Sequence, residues 1–389
     1  MSMQLGGPDL FIKKLYNARK DLTETRNNTR TVIKTIGEIK DRVGIIRKNM
    51  VSHRSHKEVV LAEFQRRDIW QRAEAETKRL AAGRPVWAIK CPDSESRLTS
   101  DIPFISDYAY CMTLKKALEN EGIYAVVQMR EDWYCDIGAD VEILIGCRYD
   151  YHPDRRVPER TNVMWMVCHP DNASVELLDR FDLVMIDSVP LAESMKGRSI
   201  SMIKPFIVTA DTDIFYRDDS PVIYDRAFVG NCRGDTRNCV RWCSENKIDL
   251  NVWGKGWEKY YSDDPYIHLH GIISYDETAD VYRKSKIIIN DHYPDMQKTG
   301  MINDRCTEVL LCGKTMLCDW SQGAEDEFGD FFTFYHSETD FIEALRKAEN
   351  DYERLCDEID KRYEEIIEKY SFKTGIKRMI KVIESVHDK

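Results

Sequence analysis

The sequence predicts an α/β protein in which two domains with parallel sheets follow a long helical segment. Three observations predict it. Short apolar stretches alternate with amphipathic ones from residue 86 onward, the same alternation starts again near residue 227, and residues 9–84 contain no proline. Strands that alternate with helices are typical of a parallel sheet covered by helices on both faces. A chain of 389 residues is long enough for two such cores and an appended segment.

The first domain is predicted at residues 85–219. A helix is expected at Tyr108–Glu121, where Leu114 and Leu118 share one face and Gly122 follows the end. The predicted strands lie in the apolar segments VWAIKCP, YAVVQM, VEILIGC, NVMWMVC, DLVMIDS and ISMIKPFIV. Their spacing leaves room for a crossover between successive strands, as a parallel sheet requires.

The second domain is predicted at residues 220–350. Its strands are expected in AFVG, DLNVWG, IHLHG, KIIIN and KTMLCD, and its helices at Asn238–Asn246, Asp276–Lys284 and Asp304–Cys312. Residues 351–389 are predicted as helices that pack across both domains. The result is two Rossmann-like domains that face a cleft. Open α/β sheets bind ligands at the carboxyl ends of their strands, so the functional site is expected in this cleft.

The N-terminal segment, residues 1–84, has the heptad pattern of a coiled coil. Apolar or small residues recur in alternating steps of three and four, which places them at successive a and d positions. They are Leu15, Ala18, Leu22, Thr25, Thr29, Val32, Ile36, Ile39, Val43, Ile46 and Met50. Because so narrow a stripe can be buried against a partner helix, we predict a homo-oligomer. An amphipathic helix packed on its own globular domain is the alternative.

Charge and composition argue against several classes of protein. The formal charge of −10 would repel a nucleic-acid backbone, so no nucleic-acid partner is expected. The 12 cysteines include no CxxC pair, which favours buried free thiols over a zinc site or disulfides. No apolar run approaches the roughly 20 residues of a membrane span, and a signal-peptide core is missing. The predicted location is the cytoplasm, with peripheral association at the inner face of the membrane as a second option.

Two segments of the second domain resemble a known enzyme family. They are HGIISYDETADVYRKSKIIIN, residues 270–290, and GMINDRCTEVLLCGKTMLCD, residues 300–319. Both resemble the donor-binding domain of GT-B glycosyltransferases and, more narrowly, the spore-maturation-type branch of the group-1 superfamily. TADTDIFYRDDSP, residues 209–221, resembles the interdomain linker of that superfamily. The resemblance extends from residue 86 to about residue 351, is specific in its second half, and does not include the N-terminal helices.

The resemblance implies that the second domain binds a nucleotide-diphosphate sugar, and the residue types suit a diphosphate. Gly230 would let the backbone approach a phosphate, with the amides of Asn231, Cys232 and Arg233 pointing toward it. A diphosphate at the start of the predicted helix after Asn303 would also gain from the helix dipole and from the guanidinium fork of Arg305.

The nucleoside is expected beside the same helix. Backbone at Ile273 would meet the base, and Tyr275 would stack nearby. Glu308 is placed to accept hydrogen bonds from the ribose hydroxyls, the role that the resemblance implies for it. The predicted donor-site residues are Gly230, Asn231, Arg233, Trp253, Gly254, His270, Gly271, Ile273, Tyr275, Gly300, Met301, Asn303, Arg305 and Glu308.

Several of these residues have a purely structural alternative. Arg305 and Glu308, three residues apart, could form a surface ion pair worth only a few tenths of a kcal/mol. Gly230 could be a turn glycine, and Trp253 could pack in the core.

One position departs from the family. Retaining members usually carry a further glutamate eight residues before the position of Glu308, and Gly300 stands there in this chain. The backbone of Gly300 or Met301 could still contact the sugar. Retention and inversion therefore both stay open.

The acceptor side is predicted in the first domain, where an inverting enzyme needs a general base. Asp107 and Asp171 are candidates for this base, and His169 is a candidate phosphate or acceptor contact. All three lie at predicted junctions between strands and helices, where aspartates also serve as helix N-caps. The aspartates at 211 and 213 resemble a metal-binding motif of another fold, but they lie in the linker. The resemblance implies metal-independent transfer, and we expect neither a metal nor a cofactor.

The function predicted from these observations is transfer of a sugar from a nucleotide-diphosphate sugar to a hydroxyl of a glycan or glycolipid, as in synthesis of cell-surface polysaccharide or glycoconjugates. Two alternatives remain open: a nucleotide-sugar epimerase of the same fold, and a non-catalytic scaffold protein whose function resides in the coiled coil. Product analysis without an acceptor distinguishes the first alternative, and donor hydrolysis would argue against the second.

Overall fold

The computed structural model describes residues 72–94, 106–153, 157 and 159–386. The predicted coiled coil at residues 15–50 lies outside these residues. Within the described ranges the chain forms two six-stranded parallel sheets with helices packed on them. The predicted α/β class with two Rossmann-like domains is confirmed. None of the helices in the described part of the chain combines the length and apolar character needed to cross a membrane.

The first sheet has the strand order β2-β1-β3-β4-β5-β6. Its strands are β1 (Val86–Lys90), β2 (Tyr124–Gln128), β3 (Val141–Ile145), β4 (Thr161–Met166), β5 (Leu183–Ile186) and β6 (Met202–Pro205). The helices of this domain are α1 (residues 72–81), α2 (Ser106–Asn120), α3 (Val175–Leu178) and α4 (Val189–Met195). The inner strands β3, β4 and β5 are buried along their whole length. Such continuous apolar strands are typical of parallel sheets covered on both faces.

The second sheet has the strand order β12-β11-β10-β7-β8-β9. Its strands are β7 (Tyr224–Val229), β8 (Leu250–Trp253), β9 (Ile267–Gly271), β10 (Ser285–Asn290), β11 (Met316–Asp319) and β12 (Thr333–Tyr335). Its helices are α5 (Asn238–Glu245), α6 (Glu258–Tyr261), α7 (Tyr275–Arg283), α8 (Pro294–Thr299), α9 (Asp304–Leu311), α10 (Gln322–Phe328) and α11 (Glu338–Asn350). Each predicted strand segment corresponds to an observed strand, whereas β12, α6, α8 and α10 had not been predicted.

The C-terminal residues form three helices that pack on different domains. They are α12 (Tyr352–Lys361), α13 (Tyr363–Tyr370) and α14 (Phe372–Glu384). Ile359 and Ile366 of α12 and α13 belong to a core cluster of the second domain. Ile376 and Met379 of α14 belong to the core of the first domain. The chain thus returns to the first domain at its end.

Two chain crossings between the domains run side by side. The amide of Ala210 donates to the Tyr370 carbonyl at 3.0 Å, and the amide of Phe372 donates to the Ala210 carbonyl at 2.9 Å. The outgoing linker and the returning C-terminal segment are therefore joined by backbone hydrogen bonds at the base of the cleft.

Candidate functional site

In the second sheet, successive strands are added on one side of β7 and on the opposite side of β10, so the strand order reverses between these two strands. From β7 the chain continues to β8 and β9 on one side, and from β10 it continues to β11 and β12 on the other. The two strands are neighbours, with Ile288 beside Ala227. The loops after them diverge and leave a crevice at their carboxyl ends, where open α/β sheets bind ligands. Gly230 follows β7 and Asp291 follows β10, so both residues border this crevice.

Three of the predicted glycines bring neighbouring strands together at this edge. The amide of Gly230 donates to the Trp253 carbonyl at 2.9 Å, and the amide of Gly254 donates to the Gly271 carbonyl at 2.7 Å. Gly254 has a φ angle of +133°, and a Cβ atom there would lie 2.2 Å from the Gly230 carbonyl oxygen. A side chain cannot be accommodated at that distance, so the approach of the two loops requires glycine at position 254.

Arg305 lies directly beside the glycines. A Cβ atom on Gly230 would lie 3.4 Å from Arg305 Nη2. Arg305 Nη1 donates to Oδ1 of Asn290, which also accepts a hydrogen bond from Asn303 Nδ2 at 3.0 Å. Nε of Arg305 is buried and has no hydrogen-bond partner among the described residues. Because Glu308 is only 3% exposed, the alternative of a surface ion pair between Arg305 and Glu308 does not hold.

Two further arginines lie around the loop after β7, and only Arg233 had been predicted. Arg237 is buried; its Nε donates to Asp291 Oδ2 at 2.8 Å and its Nη1 to the Asn231 carbonyl at 3.1 Å. Burial, and next the charge of Arg233, lower the pKa of Arg237 to about 9. The Arg233 guanidinium lies over the Tyr293 ring, 3.3 Å from its centroid. With Arg305, these cations form a positive site suited to a polyanion such as a diphosphate.

The loop after β7 differs in one respect from the prediction. The amide of Cys232 donates to the Lys255 carbonyl at 3.2 Å, so it does not point toward a phosphate. The Asn231 side chain accepts a hydrogen bond from the Lys255 amide at 2.9 Å. Asn231 therefore joins the loops after β7 and β8, and the positive charge of the site comes from arginine side chains.

Glu308 lies one turn into α9 and faces two tyrosines. Its Oε1 has no hydrogen-bond partner within the described ranges, and the hydroxyls of Tyr275 and Tyr282 lie against the carboxyl group. Burial, and next the charge of Asp304, raise the pKa of Glu308 to about 8. The group is therefore mostly protonated at neutral pH. Its contact with a ribose stays a prediction.

The predicted residues of β8 and β9 lie at or just after the carboxyl ends of these strands, next to Gly230 and Gly254. Trp253 and His270 stack with ring centroids 4.2 Å apart and an interplanar angle of 10°. Trp253 is buried, and Ile273 packs against the cluster that contains it. His270 is exposed and its Nε2 lies 2.8 Å from Asn251 Oδ1. The packing alternative fits Trp253, while His270 and Ile273 stay candidates for contact with a base.

Gly300 and Met301 are held by other parts of the protein. Gly300 has a φ angle of +71°, and its amide donates to the Gln297 carbonyl at 3.3 Å. The amide of Met301 donates to the Met296 carbonyl at 3.0 Å, and the Met301 side chain is buried in the core of the first domain. Both amides are therefore engaged within the protein, and a contact between the sugar and the backbone of these residues stays a prediction. A Cβ atom on Gly300 would lie 3.1 Å from the Gly323 amide nitrogen, so a glutamate would be strained here.

His169 extends from the first domain to the second. It follows β4 in a left-handed backbone conformation, with φ of +54°. Its Nδ1 lies 3.8 Å from Asp295 Oδ2, and its ring lies 4.8 Å from the Tyr293 ring. The Arg233 guanidinium lies over the ring of the same Tyr293. A chain of contacts thus links the first domain to the arginine site, and the sequence did not single out Tyr293 or Asp295.

The two candidate aspartates lie near His169 in sequence or space. Asp107 is exposed in the first turn of α2. It lies close enough to Cys168, the residue before His169, to affect that thiol: the burial of Cys168, and next the charge of Asp107, raise the pKa of Cys168. Asp171 is exposed in a single helical turn at Pro170–Asn172. All three predicted acceptor-side residues thus lie at the carboxyl edge of the first sheet, and their catalytic roles stay predictions.

Comparisons with solved structures identify the fold. Sucrose-phosphate synthase from Thermosynechococcus elongatus superposes with a TM-score of 0.57 and 10% identity, over 78% of this chain and 100% of that chain. AviGT4, a glycosyltransferase involved in avilamycin A biosynthesis, superposes with a TM-score of 0.55 and 13% identity, over 77% of this chain and 97% of that chain. The fold is GT-B. Anabaena HepE, whose structure contains UDP and glucose, has a TM-score of 0.54 and 10% identity over 78% of this chain and 100% of that chain.

Sequence comparison adds a match in the second GT-B domain. Residues 233–381 match the family model described as glycosyl transferase-like. The match includes Arg233, Arg237, Arg305 and Glu308, so the arginine site lies within the matched region. No curated protein sequence is significantly similar to the chain.

Proposed function

We propose that this protein is a glycosyltransferase that moves a sugar from a nucleotide-diphosphate sugar to a hydroxyl of a glycan or glycolipid. The observation that carries the proposal is the cluster of three arginines around Gly230 at the switch point of the second sheet. The glycosyl transferase-like match over the same residues supports it. The UDP-sugar complexes of HepE support a nucleotide-sugar donor in particular.

The chemistry follows from where charge develops. When the bond between sugar and diphosphate breaks, negative charge increases on the leaving diphosphate. Arg305, Arg237 and Arg233 are held in place before the donor binds, so they stabilise this charge with little reorganisation. Glycine at position 254 lets the loops after β7 and β8 approach each other, and Gly230 lies directly beside the Arg305 guanidinium.

Calorimetric titration of the full chain with UDP, GDP, dTDP and CMP tests the donor site. We expect one nucleoside diphosphate to bind with micromolar affinity, because a dianionic or trianionic group meets three partly desolvated guanidinium groups. CMP, with a single phosphate, should bind much more weakly than a diphosphate. If no nucleotide binds at millimolar concentration, the donor-site proposal is wrong.

On the acceptor side, we propose that His169 activates or positions the acceptor hydroxyl with Asp295 as its neighbour. The expected result for His169→Asn is a fall in the transfer rate of roughly 100-fold or more, typical for loss of a general base. Nucleotide affinity should change much less than the transfer rate, because His169 reaches the arginine site only through the Tyr293 ring, which keeps its own contact with Arg233. Transfer kinetics across pH 5 to 9 and calorimetry measure the two quantities.

Asp107→Asn and Asp171→Asn serve as matched comparisons on the same edge of the sheet. A loss of transfer in either variant, with His169→Asn unaffected, would assign the base to that aspartate instead. NMR of the product anomer, recorded with the wild-type protein, distinguishes retention from inversion. An inverting product requires such a base, whereas a retained product removes the reason for proposing one.

The two alternative functions make different products. An epimerase would interconvert nucleotide sugars in the absence of any acceptor, and a decayed scaffold would leave the donor intact. Slow donor hydrolysis without epimerisation supports the transferase. The spore-maturation-type branch, metal-independent transfer, the homo-oligomer and the cytoplasmic location stay predictions from the sequence.

A further inference from the structure

Beside the arginine site, three potential metal ligands converge in the interior of the second domain. They are His292 in the loop after β10, Cys306 in the first turn of α9, and Cys318 in β11. The nearest ligand atoms of the three residues all lie within 4.8 Å of one another. A tetrahedral zinc ion with Zn–S distances of about 2.3 Å and Zn–N distances of about 2.0 Å needs ligand atoms roughly 3.5 to 3.8 Å apart. Small side-chain shifts would reach that geometry.

The imidazole of His292 is the observation that points to a ligand. Its side chain is completely buried, and its Nδ1 lies 2.7 Å from Asp319 Oδ1. Its Nε2 is buried with no hydrogen-bond partner in the part of the chain that the structure describes. A carboxylate on one ring nitrogen fixes the tautomer and presents the other nitrogen to a metal, the arrangement that is typical of zinc-bound histidines.

Each sulfur atom lies between a donor and an acceptor, because Cys306 Sγ is 3.5 Å from Asn303 Oδ1 and Cys318 Sγ is 3.7 Å from Asp319 Oδ1; metal binding would release the thiol protons and leave the Asn290 donor. Cys306 and Cys318 are completely buried. Asn290 Nδ2 lies 3.2 Å from Cys318 Sγ and 3.9 Å from Cys306 Sγ, so it donates toward both. Two thiolates would neutralise a divalent cation, and two cysteines with one histidine are ligands that zinc accepts while leaving a fourth position for a small molecule such as water.

We propose that His292, Cys306 and Cys318 bind a divalent transition-metal ion, with zinc as the expected metal. The site ties together the loop after β10, the start of α9 and the end of β11. Its role is structural: Cys306 adjoins Arg305, and Asn290, which contacts both sulfurs, also accepts a hydrogen bond from Arg305. A bound ion would therefore fix the arginine at the donor site. The proposal does not depend on glycosyl transfer.

Metal analysis of the purified full chain, prepared without a polyhistidine tag or chelator, tests the site. We expect about one zinc ion per chain. Cys306→Ser and Cys318→Ser should each lose most of it. Cys312→Ser is the matched control, because Cys312 is also buried and directly follows the same helix but lies outside the cluster. It should retain the metal.

A second measurement keeps the test valid if the serine variants do not fold. Cobalt added to the metal-depleted wild-type protein should give the visible bands of a tetrahedral ion and the near-ultraviolet band of thiolate ligation. Refilling with zinc should raise the unfolding temperature. The proposal is overturned if the wild type takes up no stoichiometric metal, if Cys312→Ser loses as much as the other variants, or if mass spectrometry finds a Cys306–Cys318 disulfide instead.

Discussion

Replacing Arg305 with alanine is expected to weaken binding of a nucleoside diphosphate by roughly 100- to 1,000-fold, because a charge-assisted, forked contact to the diphosphate is lost. Folding stability should fall by only about 1 kcal/mol, because the Arg305 hydrogen bond to Asn290 Oδ1 is lost but that oxygen keeps its bond from Asn303. Nε of Arg305 has no partner among the described residues, and the neighbouring Arg233 carries the same charge. Titration calorimetry and thermal unfolding of the same preparation measure both effects.

Two variants make this result specific. Arg305→Lys keeps the charge but not the fork, so its affinity should lie between those of the wild type and Arg305→Ala. Arg241→Ala removes an arginine of α5 that pairs with Glu245 at 3.2 Å on the surface, and nucleotide binding should be unchanged. Equal loss in Arg241→Ala and Arg305→Ala would show a general charge effect and would contradict a specific diphosphate contact.

Glu308→Gln is expected to stabilise the protein in a pH-dependent manner. The pKa of Glu308 is raised to about 8 from an ordinary value of 4.5. Between these values the folded state keeps a proton that the unfolded state releases, so wild-type stability falls as pH rises and levels off above pH 8. Glutamine cannot ionise and avoids this loss. The gain should be near zero at pH 4.5 and on the order of a few kcal/mol at pH 8.

The Glu308→Gln substitution should weaken nucleotide binding, although it raises folding stability. If the ionised Glu308 accepts hydrogen bonds from the ribose, wild-type affinity should increase as pH rises toward 8. Glu308→Gln should bind roughly tenfold more weakly and lose its preference for ribonucleotides over 2′-deoxynucleotides. Urea unfolding and calorimetry at pH 5, 6.5 and 8 measure the two trends. Unchanged discrimination against the deoxynucleotide would remove Glu308 from the ribose site.

Most of the fold could be predicted because hydrophobic pattern and strand length are local properties. Two of the missed elements show why others were not predicted: β12 has three residues, and α8 begins at a proline inside a polar segment. The contact between Arg237 and Asp291 could not be predicted in this way. These residues are separated by 54 positions, and only the pairing of β7 with β10 brings them together.

The burial of Glu308 is a second feature that could not be predicted from the sequence. Its place one turn after Arg305 follows from helix geometry, but its exposure depends on the helix α7 that packs over it. Tyr275 and Tyr282 come from that helix. The convergence of His292 with two cysteines has the same origin, because these residues lie on three separate elements with no recognisable ligand spacing in sequence.

The burial of Met301 limits where the two domains can separate. Its side chain is buried in the core of the first domain, and the next residue, Ile302, donates its amide to the Asp187 carbonyl at 3.0 Å. Asn303 and Arg305 follow within one helical turn. The segment that would hold the diphosphate is thus anchored in the opposite domain, so the domains cannot separate at this point without exposing Met301. We therefore expect any opening that admits a donor to occur at the outer rim, with the phosphate end of the cleft as the pivot.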